Sequence, residues 1–303
     1  MSFTSEVKEE LFQKENIKAH CKTAELSAYI NNLCVFDPKN PRDPMVFICD
    51  EPRHAERIAK LIYDLAEISV TPERAGDTTV IKIEDIPSVI KILTLSGSYL
   101  KPYLGESPIN PQITKKDCCK GAYIRTCFLI NGFVTDPVKN YHMEFSDRDY
   151  SHAYGLKELI TSLGIAAKII KRKNRYVVYI KDSEQISDML GIMSAHLSLL
   201  KLENIKVIKE VRNNLNRKNN CETSNIAKTI KSSVREQNAI KVLRDTNRLK
   251  NLSPKLKEIA YLRLENPDSS YTELGRLLSP PLGKSGVYHR LQNIIKLAEN
   301  EEK

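Results

Sequence analysis

The sequence predicts an α+β body built twice over and followed by a small all-α domain, and three observations carry that prediction. Val35-Phe36-Asp37-Pro38-Lys39-Asn40 returns, 99 residues later, as Val134-Thr135-Asp136-Pro137-Val138-Lys139-Asn140. The same order of helical and alternating segments follows each copy. Charge is split unevenly: residues 1–200 hold 26 basic and 26 acidic side chains, residues 201–303 hold 21 and 12, so the +9 excess falls in the last third.

Each half opens on an apolar helix rich in small residues, over 22–35 (KTAELSAYINNLCV) and over 117–134 (DCCKGAYIRTCFLINGFV). Small side chains at helical spacing let two such helices approach closely. After the first copy of the repeat we expect a strand over 45–49, a helix over 52–67, strands over 68–71 and 79–83, and a helix over 86–95. After the second come a strand over 141–145, a helix over 149–163, strands over 166–170 and 176–180, and a helix over 183–190. β-Branched residues in period two (Val80, Ile81, Ile83; Val177, Val178, Ile180) mark the strands. Apolar residues three and four apart (Ile58, Leu61, Ile62, Leu65; Leu156, Leu159, Ile160, Leu163) mark the helices. Residues 96–116, rich in Ser, Gly, Pro and Lys, read as the loop joining the halves.

The last 50 residues predict three short helices. Ser253-Pro254 starts one carrying Leu256, Ile259, Ala260 and Leu264, with proline where its missing N–H costs nothing, and Asn266-Pro267 stops it. Ser270-Tyr271-Thr272-Glu273 has capping-box spacing ahead of Leu274, Leu277 and Leu278. Ser279-Pro280-Pro281-Leu282-Gly283 reads as a turn, and a third helix runs over 285–298. A tight second turn between short helices predicts a helix-turn-helix. At 100° per residue Val287, Leu291, Ile294 and Ala298 share one side of the third helix. Ser285, His289, Gln292 and Lys296 lie opposite, with Tyr288 and Asn293 flanking, while Lys284 and Arg290 suit phosphates or guanine edges. A solvated amphipathic face would carry the same pattern.

Between body and tail, residues 201–250 hold 13 bases against 5 acids. Arg212, Arg217, Lys218, Lys228, Lys231 and Arg235 interleave there with Asn213, Asn214, Asn216, Asn219 and Asn220, suited to phosphate contact or helix capping alike. Cys221-Glu222-Thr223 reads as a helix break and a domain boundary. The expected organisation is a first half over 1–105, a second over 117–210, a basic linker over 211–225 and a DNA-binding domain over 226–303. A further basic run over 168–175 reads first as a charged edge hairpin that discourages strand pairing, and second as another DNA surface.

No apolar run approaches the roughly 18 residues of a membrane span, and MSFTSEVKEE places acids where a signal peptide carries cations. A cytoplasmic protein is expected. Seven cysteines (21, 34, 49, 118, 119, 127, 221) show no CxxC and no paired HxxxH, which argues against a disulfide framework and against a zinc site. They read as reduced, mostly buried thiols, and no metal or other cofactor is expected.

Ile124-Arg125-Thr126-Cys127-Phe128-Leu129-Ile130-Asn131-Gly132 resembles the nine-residue motif of the LAGLIDADG homing endonucleases, with Asn131 where that family's metal-binding Asp belongs. Residues 26–34 fit less well and place Leu33 at the other acid position. The resemblance implies paired helices at the centre of a pseudo-two-fold saddle. An amide is uncharged and a leucine offers no ligand, so metal-dependent phosphodiester cleavage is not expected. Asp37 and Asp136 lie just beyond the helix ends, but each precedes a proline, where Asp is commonly a local cap.

The chain also resembles a narrower family, WhiA, through FTSEVKEEL, KGAYIRTCFLINGFVTDPVKNYHMEF, RYVVYIKDSEQISDML, RNNLNRKNNCETSNIAKT and LSPPLGKSGVYHRL. That resemblance covers almost the whole chain. It implies a duplicated LAGLIDADG homing-endonuclease-like saddle followed by an all-α helix-turn-helix domain. It also implies a transcription regulator active in cell division, chromosome segregation or sporulation. The expected partner is double-stranded DNA, with other transcription or division proteins beyond it, and the internally duplicated saddle needs no second subunit, so a nucleoid-associated monomer is expected. A residual metal-dependent endonuclease and a scaffold that binds a protein or small-molecule signal are the competing readings.

Overall fold

Two antiparallel sheets, one per half, carry the repeat into three dimensions in a computed structural model that describes residues 2–36, 43–97 and 108–299. The chain divides into two units, Met1–Ile208 and Lys209–Lys303. In the first unit, α1 (Phe3–Phe12) and α2 (Ala19–Leu33) precede β1 (Cys34–Val35), β2 (Met45–Cys49), α3 (Pro52–Ala66), β3 (Glu73–Ala75), β4 (Thr78–Ile83) and α4 (Ile86–Leu95). The second half repeats the series as α5 (Asp117–Asn131), β5 (Gly132–Val134), β6 (Met143–Asp147), α6 (Tyr150–Thr161), β7 (Lys168–Arg172), β8 (Arg175–Ile180) and α7 (Ser183–Met193). The sheets have matching orders, β1-β2-β4-β3 and β5-β6-β8-β7. Fold class is therefore as the sequence predicts.

Helices α2 and α5 form the most extensive packing between any two elements, as their small residues lead one to expect. Their ends differ from expectation. α2 starts at Ala19 and stops at Leu33, and α5 stops at Asn131, because the residues beyond turn extended and pair with β2 and β6. Gly132 makes that exit: a Cβ built there would lie 2.3 Å from the Phe128 ring, so the chain can turn tightly over its own helix only without a side chain. No strand forms at 68–71. Ile68 and Val70 pack on the core as irregular chain, and β3, wholly exposed, pairs with β4 a few residues later. At the other edge β7 exposes Lys168, Lys171 and Arg172, with Arg172 3.3 Å from Glu144, which fits the reading as a charged edge.

Each half buries a histidine beside its sheet. In the second, Tyr123 Oη lies 2.8 Å from His152 Nε2, and His152 Nδ1 is paired with Asp147, the last residue of β6. Burial pushes the Asp147 carboxyl up, yet the His152 contact and backbone N–H groups outweigh it and hold the group below the ordinary range. In the first half the last residue of β2 is Cys49, and among the described residues His54 contacts Tyr29 Oη (3.2 Å) and the Phe12 ring, with no carboxylate hydrogen-bonded to it, so burial pushes its pKa down to about 4. Glu51 opposes the shift, while Lys8, Arg53 and Arg57 reinforce it.

The unfolded chain takes up a proton at His54 near pH 6.5, whereas the folded chain refuses it until about pH 4. Stability from this group is therefore complete above about pH 6.5 and lost as the pH falls to 4, to the extent of about 3 kcal/mol. Urea midpoints at pH 7 and pH 4.5 should fall less in His54→Gln than in the parent. An equal fall in both would exclude His54 as the source.

Helix α8 (His196–Asp245) begins in the first unit, where Glu10 accepts the Leu197 and Ser198 N–H groups at 2.7 and 2.9 Å. A carboxylate there satisfies free N–H donors and complements the helix dipole. The expected break at 221–223 does not occur. No Gly or Pro lies between 196 and 245, and Asn225 and Thr229 fold back on the helix (Nδ2 to Cys221 Sγ 3.7 Å, Oγ1 to Asn225 O 3.0 Å) instead of capping a restart. The 211–225 segment is helix, and the division between units falls at 208/209. Among the described residues no disulfide joins any of the seven cysteines, four of which are buried. Among the described residues no helix is long and apolar enough to cross a membrane.

Candidate nucleic-acid interface

In the second unit α8 is followed by a 3-10 turn (Leu249–Asn251) and by α9 (Pro254–Glu265), α10 (Tyr271–Leu277) and α11 (Lys284–Glu299). Their shared core is Ile240, Leu243, Ile259, Leu274, Val287, Leu291, Ile294 and Ile295, all at most 2% exposed. The capping box forms in full: Ser270 Oγ accepts the Glu273 N–H at 3.3 Å and Glu273 accepts the Ser270 N–H at 2.7 Å. The turn into α11 closes on Gly275, whose carbonyl accepts the Leu282 N–H at 2.8 Å. A Cβ at Gly275 would sit 2.0 Å from the Leu282 carbonyl oxygen, so glycine alone admits that approach. Ser279-Pro280 is cis.

With its apolar stripe held inward, α11 turns outward the side chains that the sequence predicts. Lys284, Ser285, Tyr288, His289, Asn293 and Lys296 are exposed, and Arg290 and Gln292 half-buried. Tyr288 leans on Tyr271 and His289, with ring centroids 5.9 and 5.7 Å away. Ile295 joins the buried side as well, and Ala298 only partly.

The connector residues are distributed less simply. Every residue from 210 to 228 is exposed, including Arg212, Arg217, Lys218 and Lys228. At 100° per residue Arg217, Lys228, Lys231 and Arg235 fall within an arc of about 60°, while Arg212 and Lys218 point elsewhere. Arg235 is already paired with Glu299 at 2.8 Å. The structure thus aligns three uncommitted cations on one face of α8 and scatters the rest.

Sequence reasoning misses what holds this unit together. Arg263, wholly buried, sets its Nε 2.8 Å from Glu236 Oε2, and its Nη1 donates to the Ser269 carbonyl at 2.7 Å. Tyr271 donates to the other Glu236 oxygen at 2.6 Å. Burial raises the Glu236 carboxyl above its ordinary range, against the pull of Tyr271 and Arg263. One ion pair therefore joins α8, α9, the following turn and α10. The phase of Arg263, in line with Leu256, Ile259 and Ala260, is the signal that could have found it.

In the first unit, Leu33 and Asn131 are the last residues of α2 and α5. Leu33 packs on the first core. Asp136 makes a turn, accepting the Val138 N–H at 2.9 Å, which accounts for its carboxylate as a local cap. Asp37 lies outside the described residues. Nearby, Asn31 donates to Tyr123 Oη at 2.9 Å and Asn32 to the Ala28 carbonyl at 2.8 Å.

Two family models match the chain, one in each part of it. The model of the WhiA LAGLIDADG-like domain fits residues 120–212, and that of the WhiA C-terminal HTH domain fits residues 215–298. "Probable cell division protein WhiA" of Thermoanaerobacter pseudethanolicus is 41% identical, over 99% of this chain and 98% of its own. The protein of the same description from Clostridium acetobutylicum is 39% identical, over 100% and 99%. The crystal structure of full-length DUF199/WhiA from T. maritima shares the fold with a TM-score of 0.58 at 24% identity, covering 99% of each chain.

Proposed function

The chain belongs to the WhiA family, and from that premise we propose that it is a sequence-specific DNA-binding transcription regulator rather than a nuclease. The observation that carries the reading is the outward face of α11. Lys284, Arg290 and Lys296 supply charge, and Ser285, His289, Gln292 and Asn293 supply hydrogen-bonding groups, on a helix fixed by a capped, glycine-closed turn. A helix presented in this way enters the major groove with its first two turns, charges meeting phosphates and amides meeting base edges. Arg217, Lys228 and Lys231 supply further phosphate contacts along α8.

Hydrolysis lies outside this reading, because the positions that would hold a hard cation carry leucine and an amide. We place the regulated processes in cell division, as the relatives' names suggest, with chromosome segregation and sporulation as the related processes. The working state is a cytoplasmic, nucleoid-associated monomer that meets other transcription or division proteins on double-stranded DNA.

Genome-wide immunoprecipitation of the tagged full-length protein, followed by footprinting of the recovered sites, tests the proposal. Discrete protected sites are expected, with log K falling linearly against log salt. Failure of the full chain to retain duplex DNA in dilute buffer would overturn it.

A further inference from the structure

At the opposite ends of α2 and α5 from Leu33 and Asn131, the fold brings together four soft donors that local spacing cannot reveal. His20, Cys21, Cys118 and Cys119 place their ligand atoms within 4.8 Å of one another. His20 Nδ1 lies 3.1 Å from Cys119 Sγ and 3.3 Å from Cys21 Sγ. Relative to the N-cap residues Lys18 and Lys116, the two pairs occupy the same two positions of the first helical turn. The arrangement thus follows the pseudo-symmetry of the duplicated body.

We propose that these four residues form a tetrahedral site for a thiophilic divalent cation, zinc being the one they suit, which clamps the N-terminal ends of the two central helices. Three sulfurs and one imidazole nitrogen make a closed donor set of the kind that structural zinc takes, with no position left open for catalysis. Zn–S bonds of about 2.3 Å and a Zn–N bond of about 2.0 Å place tetrahedral ligands roughly 3.5–3.8 Å apart. The two short contacts, at 3.1 and 3.3 Å, fall a few tenths of an ångström short of that range and have to open slightly, while the longest separation has to close by about 1 Å. Cys118, the exposed member, is free to swing inward.

Electrostatics favour the same occupant. Burial raises the Cys21 and Cys119 thiols above their ordinary range in the metal-free protein, so binding displaces thiol protons, and the positive ends of both helix N-termini, directed at the cluster, favour the thiolates that result. Three thiolates around a divalent ion leave one negative charge, which the helix N-termini complement, and burial, reinforced by Lys116 and Lys18, pushes the His20 pKa down and keeps its imidazole neutral and able to ligate. The site is independent of the DNA-binding reading. It pins one half of the duplicated body to the other.

The test uses the full-length chain, reduced and stripped with chelator, and titrated with Co²⁺ as a spectroscopic probe. Thiolate-to-cobalt charge transfer and tetrahedral d–d bands should saturate at one equivalent and bleach stoichiometrically with Zn²⁺. Zinc should raise the melting temperature by about 5 °C or more. Cys118→Ser, an exposed position that leaves the metal-free melting temperature unchanged, should weaken binding about 100-fold and abolish the thermal shift. His20→Asn should shift the d–d bands, and the control Cys221→Ser should change nothing. The proposal is overturned if no tetrahedral band appears, if Cys118→Ser binds like the parent, or if any two of Cys21, Cys118 and Cys119 are found joined in a disulfide that resists mild reductant.

Discussion

Arg263→Met should destabilise the C-terminal unit by about 3–5 kcal/mol, the largest effect expected of any single substitution in the chain. The cost comes from what remains: Glu236, 1% exposed, loses its counter-charge and must stay ionised at a cost or take up a proton, and the Ser269 carbonyl loses its donor. Glu236→Leu combined with Arg263→Met removes both charges and should recover most of the loss. Tyr271→Phe, which deletes one hydrogen bond to a charged group, should cost roughly 1.5–3 kcal/mol. Native-state hydrogen exchange of the α11 amides measures these values where global melting would blend the two units. If Arg263→Met leaves α11 exchange unchanged, the ion pair does not hold the helix-turn-helix together.

How much of this was legible beforehand depends on whether the signal was local. The period-two residues at 45–49 and the proline-led helix at 86–95 match the structure end to end, because burial on one side imposes a readable alternation over five or more residues. β1 and β5 contain two and three residues, too few for any period, and in sequence they look like the tails of α2 and α5. β3 is exposed throughout and carries no apolar pattern at all. The asparagines before Cys221 suggested a cap, since Asn competes locally for backbone groups, but no Gly or Pro stops the helix there.

On the site itself the division is the same. The outward face of α11 is legible from helical phase alone, a property of one continuous segment. The Glu236–Arg263 pair and the His20, Cys21, Cys118 and Cys119 cluster join residues 27 and about 100 positions apart, and only the tertiary fold brings them together.

Lys284→Glu combined with Arg290→Glu should weaken specific DNA binding at least 100-fold, the second large effect, while the melting profile stays that of the parent. Both side chains are outside the core, so the change acts on the partner and not on the fold. Single alanine variants separate their roles. A residue on a phosphate should weaken all sequences alike and reduce the salt slope by about 1, whereas a residue on a base edge should cost about 1–3 kcal/mol at one operator position and relax the preference there. Gln292→Ala removes no formal charge, so an effect from it should leave the slope unchanged. Lys228→Ala, on the exposed face of α8, should lower the slope without altering the preferred sequence. Equal affinity of the parent and the double charge-reversed variant, at every salt concentration, would show that α11 does not face DNA and would remove the basis of the regulatory reading.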